Sequence, residues 1–185
     1  MQFKSMKPPN ELIRTATDEI QVLVSRFADA CMRQDAAAFG ALWTADAEWI
    51  IGEPFPLLEK GRDNVVAAFV KLLGQWEFFA QFPHSLLVEV DGPLATAQCS
   101  VEELGQNLKT KASYHNIAYY YDDLRLEEGV WRFYRRDYRY LWLGDGIRGR
   151  PIPVEFKKKY DKLQSVEAAR GSAVPQRDIE KAADH

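Results

Sequence analysis

The chain has three histidines, His84, His115 and His185. Histidine is the side chain whose unperturbed pKa lies nearest neutrality, so proton-transfer chemistry is sought there first. His84 stands in QFPHSLLVEVDG, between Phe82-Pro83 and an apolar run. A neutral imidazole there could take a proton from carbon or water, provided a carboxylate stabilises the imidazolium. The plainer alternative is a histidine that merely begins a strand. His115 lies in SYHNIAYYYDD. Strand alternation groups it with Ile117, Tyr119 and Tyr121, against Tyr114, Asn116, Ala118, Tyr120 and Asp122. One set must face inward, and the pattern alone does not choose. VWRFYRRDYRYLWL interleaves Arg and Tyr. Arg136 and Tyr138 could wall a pocket and polarise a ligand oxygen, or the strand could serve as a contact surface, where Arg and aromatics are enriched. There is no HxxxH and no acid-rich cluster, so no metal is expected. His185 is terminal and is given no role.

The elements that must position these groups are legible from periodicity. Ile13, Ala16, Ile20, Leu23, Phe27 and Cys31 recur at helical steps after Asn10, a candidate N-cap. DAAAFGALW predicts a short helix capped by Asp35, and DAEWIIG a first strand. EPFPLLEKGR reads as a Pro-rich loop before a third helix, DNVVAAFVKLLG. The period then changes. LLVEV, ATAQCSVEE, YHNIAYYYDDLRL and VWRFYRRDYRYLWL predict a meander of antiparallel strands, with Trp131 and Phe133 expected against the helices. This is an α+β arrangement: a curved antiparallel sheet packed on three N-terminal helices, leaving a conical cavity suited to a small ligand. The aromatics of GQWEFFAQFPH, with Phe55, Leu57 and Leu58, would rim that cavity or cover a contact surface. Residues 1–11 are expected to be a lead-in, 12–149 the domain, and 150–185 an extension, partly helical and then disordered.

Bulk composition narrows the partners. Charged residues make up 28% and hydrophobic ones 46%, an ordinary globular profile. The net charge is −3 with no basic stripe, so nucleic acid is not expected. No apolar run is long enough to span a bilayer, and MQFKSMKPPNELIR has no apolar signal core. A cytoplasmic location is therefore expected, with Cys31 and Cys99 as buried thiols.

RFADACMRQD, ALWTADAEW, KGRDNV, PHS before VEVDGPLATA, and YYYDDLRLEEGVWRFYRR occur in that order. The set resembles the SnoaL-like branch of the NTF2-like superfamily, over roughly residues 12–143. The resemblance implies the NTF2-like cone and catalysis without metal or organic cofactor, as in scytalone dehydratases, dehydrochlorinases and polyketide cyclases. It implies a cavity-facing His84 as general base and Arg136 as stabiliser of developing negative charge. Trp49 matches the first-strand Trp. Met32 falls where such relatives carry the Asp that orients the His, with Phe27 the aromatic before it, so the His–Asp pair is broken here. Asp122, Glu53 and Asp137 are the candidate replacements. The expected site is thus His84 and Arg136 as catalytic groups, with Trp49, Met32, Phe27, His115, Asn116, Tyr120, Asp122 and Tyr138 around a small apolar molecule. The expected function is a lyase, isomerase or cyclase, acting as a homodimer. The alternative is a non-catalytic ligand-binding or accessory subunit of the same fold.

Overall fold

The computed structural model describes residues 9–144. The expectations for residues 1–8 and for 150–185 lie outside the described residues. The first helix, α1 (Pro9–Arg33), opens on proline, whose fixed φ suits the first helical position. Asn10, expected as its N-cap, therefore falls inside the helix. Ala16, Ile20, Leu23, Phe27 and Cys31 are buried along one face. Ile13 shares their spacing but is exposed, because the first turns of α1 overreach the core. Asp35 caps α2 (Ala36–Gly40) as expected, accepting the Ala38 N–H at 2.9 Å. Gly61, at φ +82°, supplies the backbone turn that starts α3 (Arg62–Leu73). No helix among the described residues is long and apolar enough to cross a membrane.

Among the described residues six strands form one curved sheet: β1 (Trp43–Ile51), β2 (Leu57–Lys60), β3 (Trp76–Asp91), β4 (Leu94–Asn107), β5 (Ser113–Glu127) and β6 (Val130–Gly144). Their order is β2-β1-β6-β5-β4-β3. The expected α+β architecture is present, and β3 to β6 make the expected antiparallel meander. The sheet is mixed, however, because β6 pairs in parallel with β1. Two boundaries also differ. LLEK, read as loop, is the short edge strand β2, too brief to show alternation. β3 starts at Trp76, well before LLVEV, and runs through Pro83. It is the sheet's other edge, where a residue without an N–H is tolerated.

The core is aromatic. Phe27 of α1 meets Phe39, Trp43, Tyr120 and Phe133 at centroid distances of 5.2–6.1 Å. Phe39 of α2 stacks on Phe69 of α3 at 3.9 Å. Trp131 and Phe133 are buried, as their position after the last turn predicts. That turn places two consecutive residues at positive φ, Glu128 at 54° and Gly129 at 79°. Such a pair is the signature of a type I′ hairpin, and only the second residue is a type that adopts it without strain. Glu128→Asn should therefore stabilise the protein by about 0.5–1 kcal/mol. Urea unfolding of the two proteins measures this, and an unchanged or lower midpoint would contradict it.

Candidate functional site

β5 keeps strict alternation, so its two faces are unambiguous. Tyr114, Asn116, Ala118, Tyr120 and Asp122 face the helices, and His115, Ile117, Tyr119 and Tyr121 face outward. The interior carries polar groups in two layers. In one, Arg136 of β6 and Asp122 of β5 sit opposite each other, with Nε and Oδ1 3.1 Å apart. Arg136 is only 1% exposed, and its guanidinium lies 3.7–4.2 Å from the ring centroids of Tyr120, Phe27 and Phe133. The approach of Arg136 to Asp122 is close but off the N–H axis, so it is an ion pair without an aligned hydrogen bond. Burial pushes the Asp122 carboxyl up to about 7; Arg136 opposes that rise and Asp123 adds to it. The Cys99 thiol is pushed up to about 11 by burial, with Arg136 opposing.

The second layer centres on Glu103 of β4. Gln81, Glu103 and Asn116 stand in register across β3, β4 and β5. The Glu103 carboxylate accepts from Gln81 Nε2 at 2.6 Å, Tyr138 OH at 2.5 Å, Tyr114 OH at 3.1 Å and Asn116 Nδ2 at 3.2 Å. Asn116 Nδ2 also donates to the Tyr138 hydroxyl. Burial first, and the Glu103 charge second, hold the Tyr138 and Tyr114 hydroxyls far above the ordinary phenol value, so both remain protonated donors. Tyr140 is pushed up to about 12 for the same two reasons. Burial likewise raises the Cys31 thiol of α1, with Glu103 adding and Arg136 opposing. Trp76, Phe79 and Tyr140 are partly buried around this cluster and Phe55 is exposed beside it, with Trp76 5.0 Å from Tyr114 and Phe55 6.0 Å from Tyr140. The arrangement is a buried acid–base group between two hydroxyls, at the aromatic end of the sheet.

Residues 14–137 match the SnoaL-like domain. The chain belongs to the SnoaL-like family. Solved structures place the family's fold on it. The crystal structure of LinA superposes with a TM-score of 0.69 at 24% identity, covering 77% of this chain and 99% of that one. The hexachlorocyclohexane dehydrochlorinase LinA-type3 from Novosphingobium barchaimii LL02 gives 0.68 at 23% identity, covering 77% and 99%. A protein described as a putative scytalone dehydratase, from Novosphingobium aromaticivorans, gives 0.66 at 16% identity, covering 78% and 97%. No curated protein matches the chain in sequence.

Within this SnoaL-like domain the expected site residues separate into four groups. Arg136, Asp122, Asn116, Tyr120 and Tyr138 come together in the interior. Trp49 and Phe27 are buried in the aromatic core around Arg136, with Trp49 in parallel register with it. The two imidazoles are elsewhere, and this corrects the expectation of a cavity-facing His84. Pro83 pairs with Val101 on the inner face, which turns His84 outward opposite Ser100, its side chain 54% exposed. A bulge with Ser85 at φ 51° follows before β3 resumes at Leu87. His115 is also outward, 2.8 Å from Glu102, whose other oxygen is 3.9 Å from His84. No group of three His, Cys, Asp or Glu among the described residues is placed to hold a metal ion. Met32 is corrected too. It lies on the flank of α1, half-buried, whereas Cys31, four after Phe27, is buried and its thiol feels the Glu103 charge. Of the candidate replacement acids, Asp122 is inside, whereas Asp137 is on the outer face with Arg139 at 2.7 Å.

Glu103, Tyr114 and Gln81 were missed as site residues. The signal for Glu103 was present: Ala95, Ala97, Cys99 and Val101 share the inner face, and the next residue in that series is Glu103. A surface cleft of about 570 Å³, lined by Leu94, Arg125 and Tyr134 among others, shares no residue with the Glu103 cluster.

Proposed function

We propose that this SnoaL-like protein is a cofactor-independent lyase, isomerase or cyclase that moves a proton on an apolar, carbonyl- or hydroxyl-bearing molecule. The observation that carries this reading is the Glu103 carboxylate, buried in the interior and flanked by the Tyr138 and Tyr114 hydroxyls. Glu103 acts as the base in place of His84. It takes a proton from carbon beside a carbonyl, and the electron pair moves onto the carbonyl oxygen. Once neutralised, Glu103 no longer requires four donors, and the tyrosine hydroxyls are freed to donate to the new oxyanion. The proton then returns at another atom, or a leaving group departs.

Hydrogen–deuterium exchange at the α-carbons of 2-tetralone in D2O, followed by NMR, tests this. Wild type should accelerate exchange, and Glu103→Gln should lose about 100-fold or more of that acceleration, the usual size of a general-base contribution. Equal rates with wild type and Glu103→Gln would refute it.

The second reading is a non-catalytic ligand-binding or accessory subunit. It is favoured by the four donors already filling the Glu103 oxygens and by the outward placement of both imidazoles. Ligand binding with no exchange above background would select it. The proposal includes a homodimer through the outer sheet face, where Leu87, Tyr121 and Trp142 are exposed. Sedimentation equilibrium of wild type and Trp142→Glu tests that part, with the variant expected as a monomer.

A further inference from the structure

We infer that the interior selects a ligand presenting a hydroxyl, a hydrogen-bond donor, on an apolar ring, in preference to a bare carbonyl or ether oxygen. This deepens the proposed function and rests on the Glu103 cluster being its ligand site. The inference comes from the direction of the hydrogen bonds. A carboxylate has no proton and can only accept, so all four of its neighbours turn their protons toward it. The Tyr138 and Tyr114 protons are committed to Glu103, which leaves only oxygen lone pairs to offer a ligand. Asn116 is oriented the same way: Nδ2 points at Glu103 and the Tyr138 hydroxyl, so Oδ1 points away. Asn116 is fully buried, and its Oδ1 has no partner. An unpaired acceptor on a fully buried side chain is a place for a ligand O–H.

Unpaired donors also exist inside, on Trp43, Thr44, Trp49, Arg62 and Arg136, and none of them belongs to the Glu103 cluster. Arg136 Nε and Nη1 lack aligned hydrogen bonds, but the guanidinium faces Asp122 and is covered by the rings of Phe27, Tyr120 and Phe133. The ring of the ligand has its own complement. Trp76 lies against the backbone at Gly105, where a Cβ would come within 3.0 Å of the indole. The indole is held tilted at 47° to the Tyr114 ring, with Phe79 6.1 Å away.

NMR titration of the protein with 2-naphthol, 2-methoxynaphthalene and 2-acetylnaphthalene reads this preference. 2-Naphthol should bind about tenfold more tightly than either of the others, the usual consequence of leaving a buried acceptor unpaired. In Glu103→Gln the new amide can donate to a tyrosine oxygen and free a phenolic proton, so the gap should shrink to within about threefold. Tyr138→Phe, which removes one acceptor and keeps the ring, should narrow it as well. Equal binding of the three compounds by wild type, or tighter binding of the ether or ketone, overturns the inference, whatever the 2-tetralone exchange shows. A hydroxyl preference without Glu103-dependent exchange leaves the inference standing and removes the proposed catalysis. Absence of saturable binding by all three overturns both.

Discussion

Arg136→Ala should destabilise the protein by about 3–5 kcal/mol, the usual cost of removing one partner of a buried ion pair. The reason is what remains behind. Asp122 is 3% exposed and has no aligned hydrogen bond to any other group, so above about pH 7, where its carboxyl is ionised, truncating Arg136 strands it without its countercharge. The guanidinium also fills the space between Phe27, Tyr120 and Phe133, and its loss leaves a cavity lined by three rings. A double variant separates these effects. Arg136→Met with Asp122→Leu replaces charge by apolar volume and should recover most of the loss, since such exchanges are often neutral or stabilising. Urea unfolding of the three proteins gives the result. A cost below about 1 kcal/mol for Arg136→Ala would mean that water reaches the pair.

The second large effect is a fall of stability with rising pH between roughly pH 4 and 7. Burial raises the folded-state Asp122 carboxyl to about 7, whereas in the unfolded chain it titrates near its ordinary value of 3.8. Across that window the folded state binds more proton than the unfolded one. Stability from this group is therefore complete below about pH 4, is lost as pH rises toward 7, and is flat above. The slope is at most about 1.4 kcal/mol per pH unit, the linkage limit for one proton. Asp122→Asn has no proton to lose and should flatten the profile over this range. Unfolding free energies at pH 4.5, 5.5, 6.5 and 7.5 measure both curves. If the variant keeps the wild-type slope, another group is responsible.

Much of the fold was legible because its signals are local. The α1 stripe, the Asp35 cap, the period change after α3 and the last hairpin all follow from near neighbours in sequence. The parallel contact of β1 with β6 was not, because no local pattern in Trp43–Ile51 says which strand it will lie beside. The site was legible in proportion to how far alternation was followed. Alternation set out both faces of β5, and one further step along β4 reaches Glu103. His84 failed for the complementary reason. Whether it faces in or out depends on the pairing of Pro83 with Val101 and on the bulge after it, and a bulge reverses phase without leaving a mark in composition. Cys31 rather than Met32 reaches the interior because helical spacing from Phe27 runs in steps of four.

The position of β6 bears on the order in which the molecule can assemble. β1 and β2 form one small ribbon, β3 to β5 form another, and among the described residues β6 is the strand that joins them. Trp49 waits for Arg136, and Trp43 for Phe133, some ninety residues later along the chain. Until β6 arrives, the partial sheets expose the rings of α1 and α2 and hold Asp122 without its counterion. Closing so long a loop is slow, and the segment that closes it also brings the charge that neutralises the core. Folding during synthesis should therefore be late and abrupt, with protection of β1 and β5 appearing together once β6 is available to both.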